Sequence, residues 1–223
     1  LTAYGDLQSS RLLEKPADRA GIETRVLPIE RLDDVVTGIR RAVESGARVY
    51  WICPLIEESE AVDLAAVAER HGQLKNIFGV RVGLVHGRLK SNEKEAVMSA
   101  FAAGALDVLV ATTVIEVGID VPGATIMVIE HAERFGLAQL HQLRGRVGRS
   151  DKPGNCLLLY APPLGETARA RLEILRETDD GFRIAEEDLK LRGAGELLGT
   201  RQSGLPKLRL ADLARHGELL AAA

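Results

Sequence analysis

The chain has 223 residues, 46% apolar and 4% aromatic, and 29 Lys and Arg against 32 Asp and Glu leave it a formal net charge of −3. This length suits one α/β domain with an appendage or two small domains, and the composition excludes a chain disordered throughout. The slightly negative balance excludes a globally basic nucleic-acid binder, so any DNA contact must come from local clusters.

Residues before about Asp18 show no strand rhythm, and residues 1–20 are assigned to a linker or the end of a preceding domain. From about Thr24 to Tyr160, short β-branched runs alternate with helical periodicity. Asp33–Glu44 places Val35, Val36, Ile39, Ala42 and Val43 on one helix face. Arg48–Cys53 reads as a buried strand halted by Pro54, followed by strands at Val80–His86, Asp107–Ala111, Thr125–Ile129 and Cys156–Tyr160. Between two of these, Asn92–Ala102 carries Val97, Met98 and Phe101 on one face, with Asn92 and Glu95 spaced as a capping box. Strands alternating with helices at this interval predict βαβ units in a mostly parallel sheet, and near-continuous apolar strands predict a sheet covered on both faces. This domain is assigned residues 21–162.

Past Pro162-Pro163 the rhythm changes. Two helices are expected at Gly165–Glu177 and Phe182–Leu191, and Thr178-Asp179-Asp180-Gly181 between them supplies the turn of a helical hairpin. Arg192–Gly204 holds four glycines and little periodicity, so it reads as a loop. Hairpin and loop are assigned residues 163–204, and residues 205–223 a C-terminal tail. Cys53 and Cys156 lie in apolar strands without a C-x-x-C partner or a nearby histidine, which speaks for buried thiols and against zinc. No apolar run approaches the roughly 18 residues of a membrane span, and no signal segment opens the chain. A cytosolic location is the expectation. A start at Leu1 and an end in three alanines point to a piece of something longer.

The chemistry concentrates at strand exits and in one arginine-rich segment. Gln142–Arg149 has the form Q-x-x-G-R-x-G-R, with a glycine before each of the two later arginines. Glycine admits close backbone approach, and guanidinium forks match phosphate oxygens at any relevant pH. A bare R-x-x-R would read as a solvated surface helix, as would the second cluster at Arg169, Arg171 and Arg176. His86-Gly87-Arg88 follows one strand and Thr112–Pro122 another, at ends where ligands of open parallel sheets gather. Threonine hydroxyls and free amides there can hold a nucleic-acid phosphate without reading bases, and Asp120 beyond Gly118 can accept from a ribose hydroxyl.

In this order the segments resemble the second RecA-like domain of superfamily-two helicases: Val49–Pro54 is similar to motif IV, Thr112–Pro122 to motif V and Gln142–Arg149 to motif VI. Cys53–Glu60, His86–Lys90 and Gly136–Arg149 further resemble the RecG family of ATP-dependent DNA helicases. Asp188–Arg192 with Gly195–Gly204 resembles the translocation motif that this family shares with the transcription-repair coupling factor, and Thr2–Asp6 resembles the sequence just after motif III. The fold implied is a RecA-like helicase C-terminal domain with a mostly parallel α/β sheet, followed by a helical hairpin and a glycine-rich loop.

The resemblance implies that Arg146 and Arg149 contact the outermost phosphate of ATP, with Gln142 near the phosphates and water. Gly118 and Asp120 would line the nucleotide, while Thr112, Thr113 and His86 would hold the DNA backbone. Arg171, Arg192 and Gln202 fall where the translocation motif couples turnover to movement on duplex DNA. It further implies branched duplex DNA (forks and Holliday junctions) as substrate, a first RecA-like domain and a wedge domain as partners, a monomer, and a bacterial, nucleoid-associated location. The sequence departs from a whole motor in having no G-x-x-x-x-G-K-[ST] loop and no D-E-x-H segment; Glu130–Glu133 has acid and histidine in the wrong order. The phosphate cradle and the Mg2+ carboxylate would therefore lie elsewhere, no metal site is expected in this chain, and alone it should not hydrolyse ATP. A transcription-repair motor is the near alternative, although Pro54–Glu58 and Thr200–Ser203 favour RecG. A non-catalytic DNA-binding scaffold is the distant one.

Overall fold

Four consecutive apolar residues in a row of five, and four in a row of four, dictate where the centre of this protein lies. In the computed structural model, which describes residues 21–54, 60–112, 121, 123–148 and 152–199 (side chains at 60–63 and 192–199 excepted), β2 (Arg48–Ile52) and β4 (Val108–Ala111) are buried along almost their whole length. They pair in parallel at the middle of a sheet completed by β1 (Ile22–Pro28), β3 (Val82–Val85), β5 (Ala124–Ile129) and β6 (Gly154–Tyr160), in the order β1-β6-β5-β2-β4-β3. Every pairing among the described residues is parallel. A parallel sheet needs a long crossover after each strand, which is why helices cover both faces.

The twofold alternation of side chains divides the core accordingly. On one face Val49, Trp51, Val108, Val110, Ile126 and Val128 meet Val35 and Ile39 of α1 (Leu32–Glu44) and Val67 and Leu74 of α2 (Glu60–Phe78). On the other face Tyr50, Ile52, Leu109, Met127 and Ile129 meet Met98 and Phe101 of α3 (Ser91–Ala102) and Leu140 and Leu143 of α4 (Leu137–Arg144). Leu172 and Leu175 of α5 (Glu166–Glu177) and Ile184 of α6 (Gly181–Gly199) extend this second layer, so the hairpin shares the core of the sheet domain. α5 packs on β1 and α4, and α6 packs on α4 and α5.

The predicted strands and helices are present with ends shifted by one or two residues, and three differences have physical reasons. The strand Ile22–Pro28 begins before the expected rhythm, because an edge strand with Glu23 and Arg25 exposed carries too weak an apolar pattern to stand out. The cap of α3 falls two residues earlier than expected: the Glu93 carboxylate accepts the Lys90 N–H at 2.9 Å, so the Asn92–Glu95 pair lies inside the helix. The stretch from Arg192, expected to be a loop, continues α6 to Gly199, and residues 200–204 lie outside the described residues. Glycine costs a helix only about 1 kcal/mol each, which neighbouring packing can offset.

Candidate functional site

Because all the strands run the same way, the sheet has a carboxyl edge and an amino edge. Four to seven residues of strand separate them by roughly 13–23 Å. Among the described residues, the predicted site residues divide between these edges.

His86 and Thr112 follow β3 and β4 directly, and those strands are neighbours, so both lie side by side at the carboxyl edge. Thr112 donates its backbone N–H to the carbonyl of Val85 at 3.3 Å, extending the pairing of β3 and β4 by one residue. Thr112 is 1% exposed, and neither its Oγ1 nor the buried Nδ1 of His86 has a hydrogen-bond partner among the described residues. Leaving a hydroxyl buried and unpaired costs about 1–3 kcal/mol, so two unpaired polar atoms at neighbouring strand ends mark a place suited to an external polar group. The surroundings are basic: Arg88 and Lys90 are exposed on the turn after β3, and Lys94 Nζ donates to the Gly87 carbonyl at 3.0 Å. Thr113 lies outside the described residues, as do Gly118 and Asp120.

At the same edge, Glu130 follows β5 directly and is nearly buried. It accepts from Trp51 Nε1 at 2.5 Å and pairs with Arg70 of α2 at 2.6 Å. Glu130 and Arg70 border a cavity of about 220 Å3 that also touches Cys53, Pro54 and His131. Burial, reinforced by the Glu130 charge and only partly countered by Arg70, pushes the Cys53 thiol far above its ordinary range. It is therefore an inert packing group.

The arginine segment is at the opposite edge. α4 descends from β5 and ends at Arg144, and Gly145–Gly148 then leads toward the start of β6. Gly148 has a φ of 67°, and a Cβ on Gly154 would stand 2.9 Å from the Gly148 nitrogen. Two backbone segments thus touch with no side chain between them, in a conformation that favours glycine. Gly145, by contrast, has φ −66° with only ordinary contacts, so the two glycines of the motif serve different ends. Arg146 is half-buried and Gln142 exposed, while Arg149 lies outside the described residues. Val121, the residue after Asp120, is buried at the foot of β5 in the same cluster as Val147. The arginine segment as far as Gly148 therefore lies toward the amino edge, one strand-length from His86 and Thr112.

Two arginines behave in ways that the sequence did not disclose. Arg144 is 2% exposed and gives its guanidinium to the carbonyls of Leu175 (2.6 Å) and Thr178 (2.9 Å) at the end of α5, to Thr24 Oγ1 (3.4 Å) and to His141 Nδ1 (3.1 Å). Burial lowers its pKa from the ordinary arginine value, with Cys156 and Asp179 opposing the shift. Arg171 of α5 donates to the carbonyls of Phe135 (2.6 Å) and Glu133 (3.2 Å), just ahead of α4. Arg169 and Arg176 are exposed, so the second arginine cluster is not one surface. Arg192 lies in α6 with its side chain outside the described residues, as is all of Gln202.

Among the described residues no group of three or more His, Cys, Asp or Glu could hold a metal ion, and no helix is long and apolar enough to cross a membrane. The described donor set suits one side of an anionic ligand: an arginine on a glycine-rich loop, with no loop that would enclose a phosphate.

The fold is that of a helicase C-terminal domain, and the comparisons agree. Residues 29–151 match the helicase conserved C-terminal domain family, and the chain belongs to that family. Residues 178–223 match the C-terminal part of domain 3 of ATP-dependent DNA helicase RecG. The chain is 53% identical over 99% of its length to the RecG helicase of Acidithiobacillus ferridurans, and 51% identical over 96% to that of Escherichia coli strain K12. It spans 32% and 31% of those two proteins. A solved structure of RecG bound to a three-way DNA junction superposes with a TM-score of 0.72 and 45% identity, covering 93% of this chain and 26% of that one. The yeast DEAD-box splicing factor Prp28, at 13% identity over 86% of this chain and 40% of its own, superposes with a TM-score of 0.57 and shares the fold alone. Within its family, then, the chain is similar to the C-terminal third of RecG.

Proposed function

We propose that this chain is the C-terminal motor half of a RecG-like ATP-dependent DNA helicase, a duplex translocase that drives branch migration and fork reversal in recombination and repair. In this reading residues 21–162 form the second RecA-like domain, 163–204 the translocation motif and 205–223 a tail, with 1–20 closing a preceding domain. The observation that carries it is the pair of unpaired polar atoms, Thr112 Oγ1 and His86 Nδ1, beside Arg88 and Lys90 at one strand edge. A DNA phosphate there would accept from both and recover the cost of their burial. The similarity to RecG across nearly the whole chain supports the same reading.

At the amino edge Arg146 and Arg149 would meet the outermost phosphate of ATP, Gln142 would stand near the phosphates, and Gly118 and Asp120 would line the nucleotide. ATP bound with Mg2+ would supply the free energy, and the phosphate cradle and the metal carboxylate would belong to a preceding RecA-like domain. Arginines reaching nucleotide held by another domain close the cleft, and their release reopens it. The ends of one sheet then alternate between gripping DNA and gripping nucleotide. Arg171, Arg192 and Gln202 would pass that movement to the duplex, with the wedge domain presenting a fork or Holliday junction. The parent would work as a monomer in the bacterial cytoplasm, at the nucleoid.

The test is DNA-stimulated ATP hydrolysis and fork reversal by the intact protein carrying this sequence, beside the chain alone. The expected result is turnover and reversal by the intact protein and no turnover by the chain. Robust hydrolysis by clean chain would overturn the half-site account, and an intact protein indifferent to branched DNA would overturn the assignment.

A further inference from the structure

The arginine-rich segment contains one guanidinium that faces no solvent. Arg144 is the last residue of α4, and the loop bearing Arg146 hangs directly from it: Arg146 N–H donates to the Leu143 carbonyl at 3.0 Å and Val147 N–H to the Arg144 carbonyl at 3.2 Å. Its side chain reaches across to α5 and satisfies two carbonyls left open where that helix ends, those of Leu175 and Thr178. The turn beyond is itself tied. Asp180 N–H donates to Thr178 Oγ1 at 3.1 Å, Phe182 N–H to Asp180 Oδ1 at 2.9 Å, and Ile184 N–H to the Asp180 carbonyl at 3.0 Å. Hydrogen bonds thus run from the Arg146 loop through Arg144 to the start of α6.

The other end of α4 is held as well. Arg171 fastens α5 to the carbonyls of Glu133 and Phe135 just before α4 begins. An eight-residue helix about 12 Å long is therefore clasped at both ends by the hairpin. His141 of α4 closes the remaining side: a Cβ on Gly181 would stand 3.2 Å from its Nε2, so α6 starts against it without a gap.

We propose that Arg144 is the positioning residue that makes the Arg146 loop and the α5–α6 hairpin move as one body. The inference rests on the motor reading above. Arg144 touches neither nucleotide nor DNA in it; it transmits displacement of the finger loop to the hairpin. Nη1 makes the contacts to Leu175, Thr178 and Thr24 and Nη2 the contact to His141, so a lysine, with one nitrogen on a flexible stem, cannot hold the end of α5 and His141 of α4 at once.

The test measures two rates on the intact helicase, ATP hydrolysed and fork DNA displaced, and takes their ratio. Misfolded molecules contribute to neither rate, so the ratio is blind to a loss of folded protein. For Arg144→Lys we expect turnover within about twofold of the unsubstituted protein and displacement per ATP lowered at least fivefold. Arg144→Gln should lower the ratio further, and Arg176→Ala, on the exposed face of α5, should leave it unchanged. A ratio equal to the unsubstituted value in both Arg144 variants would overturn the inference while leaving the motor reading intact. An unsubstituted protein with no DNA-stimulated hydrolysis would overturn both.

Discussion

The carboxyl edge at His86 and Thr112 and the junction at Arg144 bury polar groups to a similar degree and treat them in opposite ways. Thr112 is 1% exposed and Arg144 2%. Thr112 Oγ1 and His86 Nδ1 find no partner among the described residues, while the Arg144 guanidinium meets four acceptors. Burying a bare guanidinium costs several kcal/mol, which charge-assisted bonds of about 1.5–3 kcal/mol each offset. The unpaired hydroxyl and imidazole cost about 1–3 kcal/mol apiece, and nothing described around them offsets it. A buried polar group that is satisfied belongs to the architecture; one that is left open belongs to whatever arrives from outside.

Substitutions can break or sharpen this contrast. The largest effect is expected at the arginine left outside the buried set: Arg146→Ala in the intact helicase should cut ATP turnover by about a thousandfold, as loss of an arginine finger does, with nucleotide affinity changed far less. Single-turnover hydrolysis and binding of a fluorescent ATP analogue measure the two. Arg144→Met should act on the fold, because it strands the helix-end carbonyls of Leu175 and Thr178. We expect the chain to lose about 3 kcal/mol in urea unfolding followed by Trp51, the only tryptophan of the sequence and fully buried. A loss below about 1 kcal/mol would mean that these bonds do not hold the hairpin.

Thr112→Val conserves shape and removes only the unpaired hydroxyl. Folding stability should rise by about 1–3 kcal/mol as the uncompensated hydroxyl is removed, whereas affinity of the intact protein for fork DNA should fall by about threefold to tenfold. A large loss of stability would show the hydroxyl already engaged within the protein. The smallest effect concerns Cys156, next to Arg144. Burial pushes its thiol from 9.0 up to about 12, against a smaller downward pull from Arg144. A raised folded-state pKa for an acid means that the folded protein keeps a proton which the unfolded chain releases. Stability is then complete below pH 9 and declines as pH rises toward 12. Cys156→Ala should flatten that decline by about 1 kcal/mol between pH 8 and 10, read by urea titration.

Much of this was legible in the sequence, for reasons that separate along the same line. Val49–Ile52 and Val108–Ala111 are strands buried on both faces, and unbroken apolar runs announce them. The exposed edge strand Ile22–Pro28 has no such run, and α6 crosses glycines that local propensity reads as a loop. The motif residues stood out by type and spacing, yet their division between two edges did not. Which end of a strand a segment meets depends on the path of α4 back across the sheet. Arg144 was hidden in full view, since arginines at 144, 146 and 149 look alike in a string of letters, and only packing against α5 tells the buried one apart.

The central claim is that one sheet serves DNA at its carboxyl edge and nucleotide at its amino edge. It is tested most directly by measuring fork-DNA affinity and ATP turnover at saturating DNA for Thr112→Val and Arg146→Ala in the intact helicase. The account predicts a crossed result: Thr112→Val weakens DNA binding and leaves saturated turnover near normal, and Arg146→Ala abolishes turnover and leaves DNA binding near normal. Both variants impairing the same quantity, with the other untouched, would contradict it.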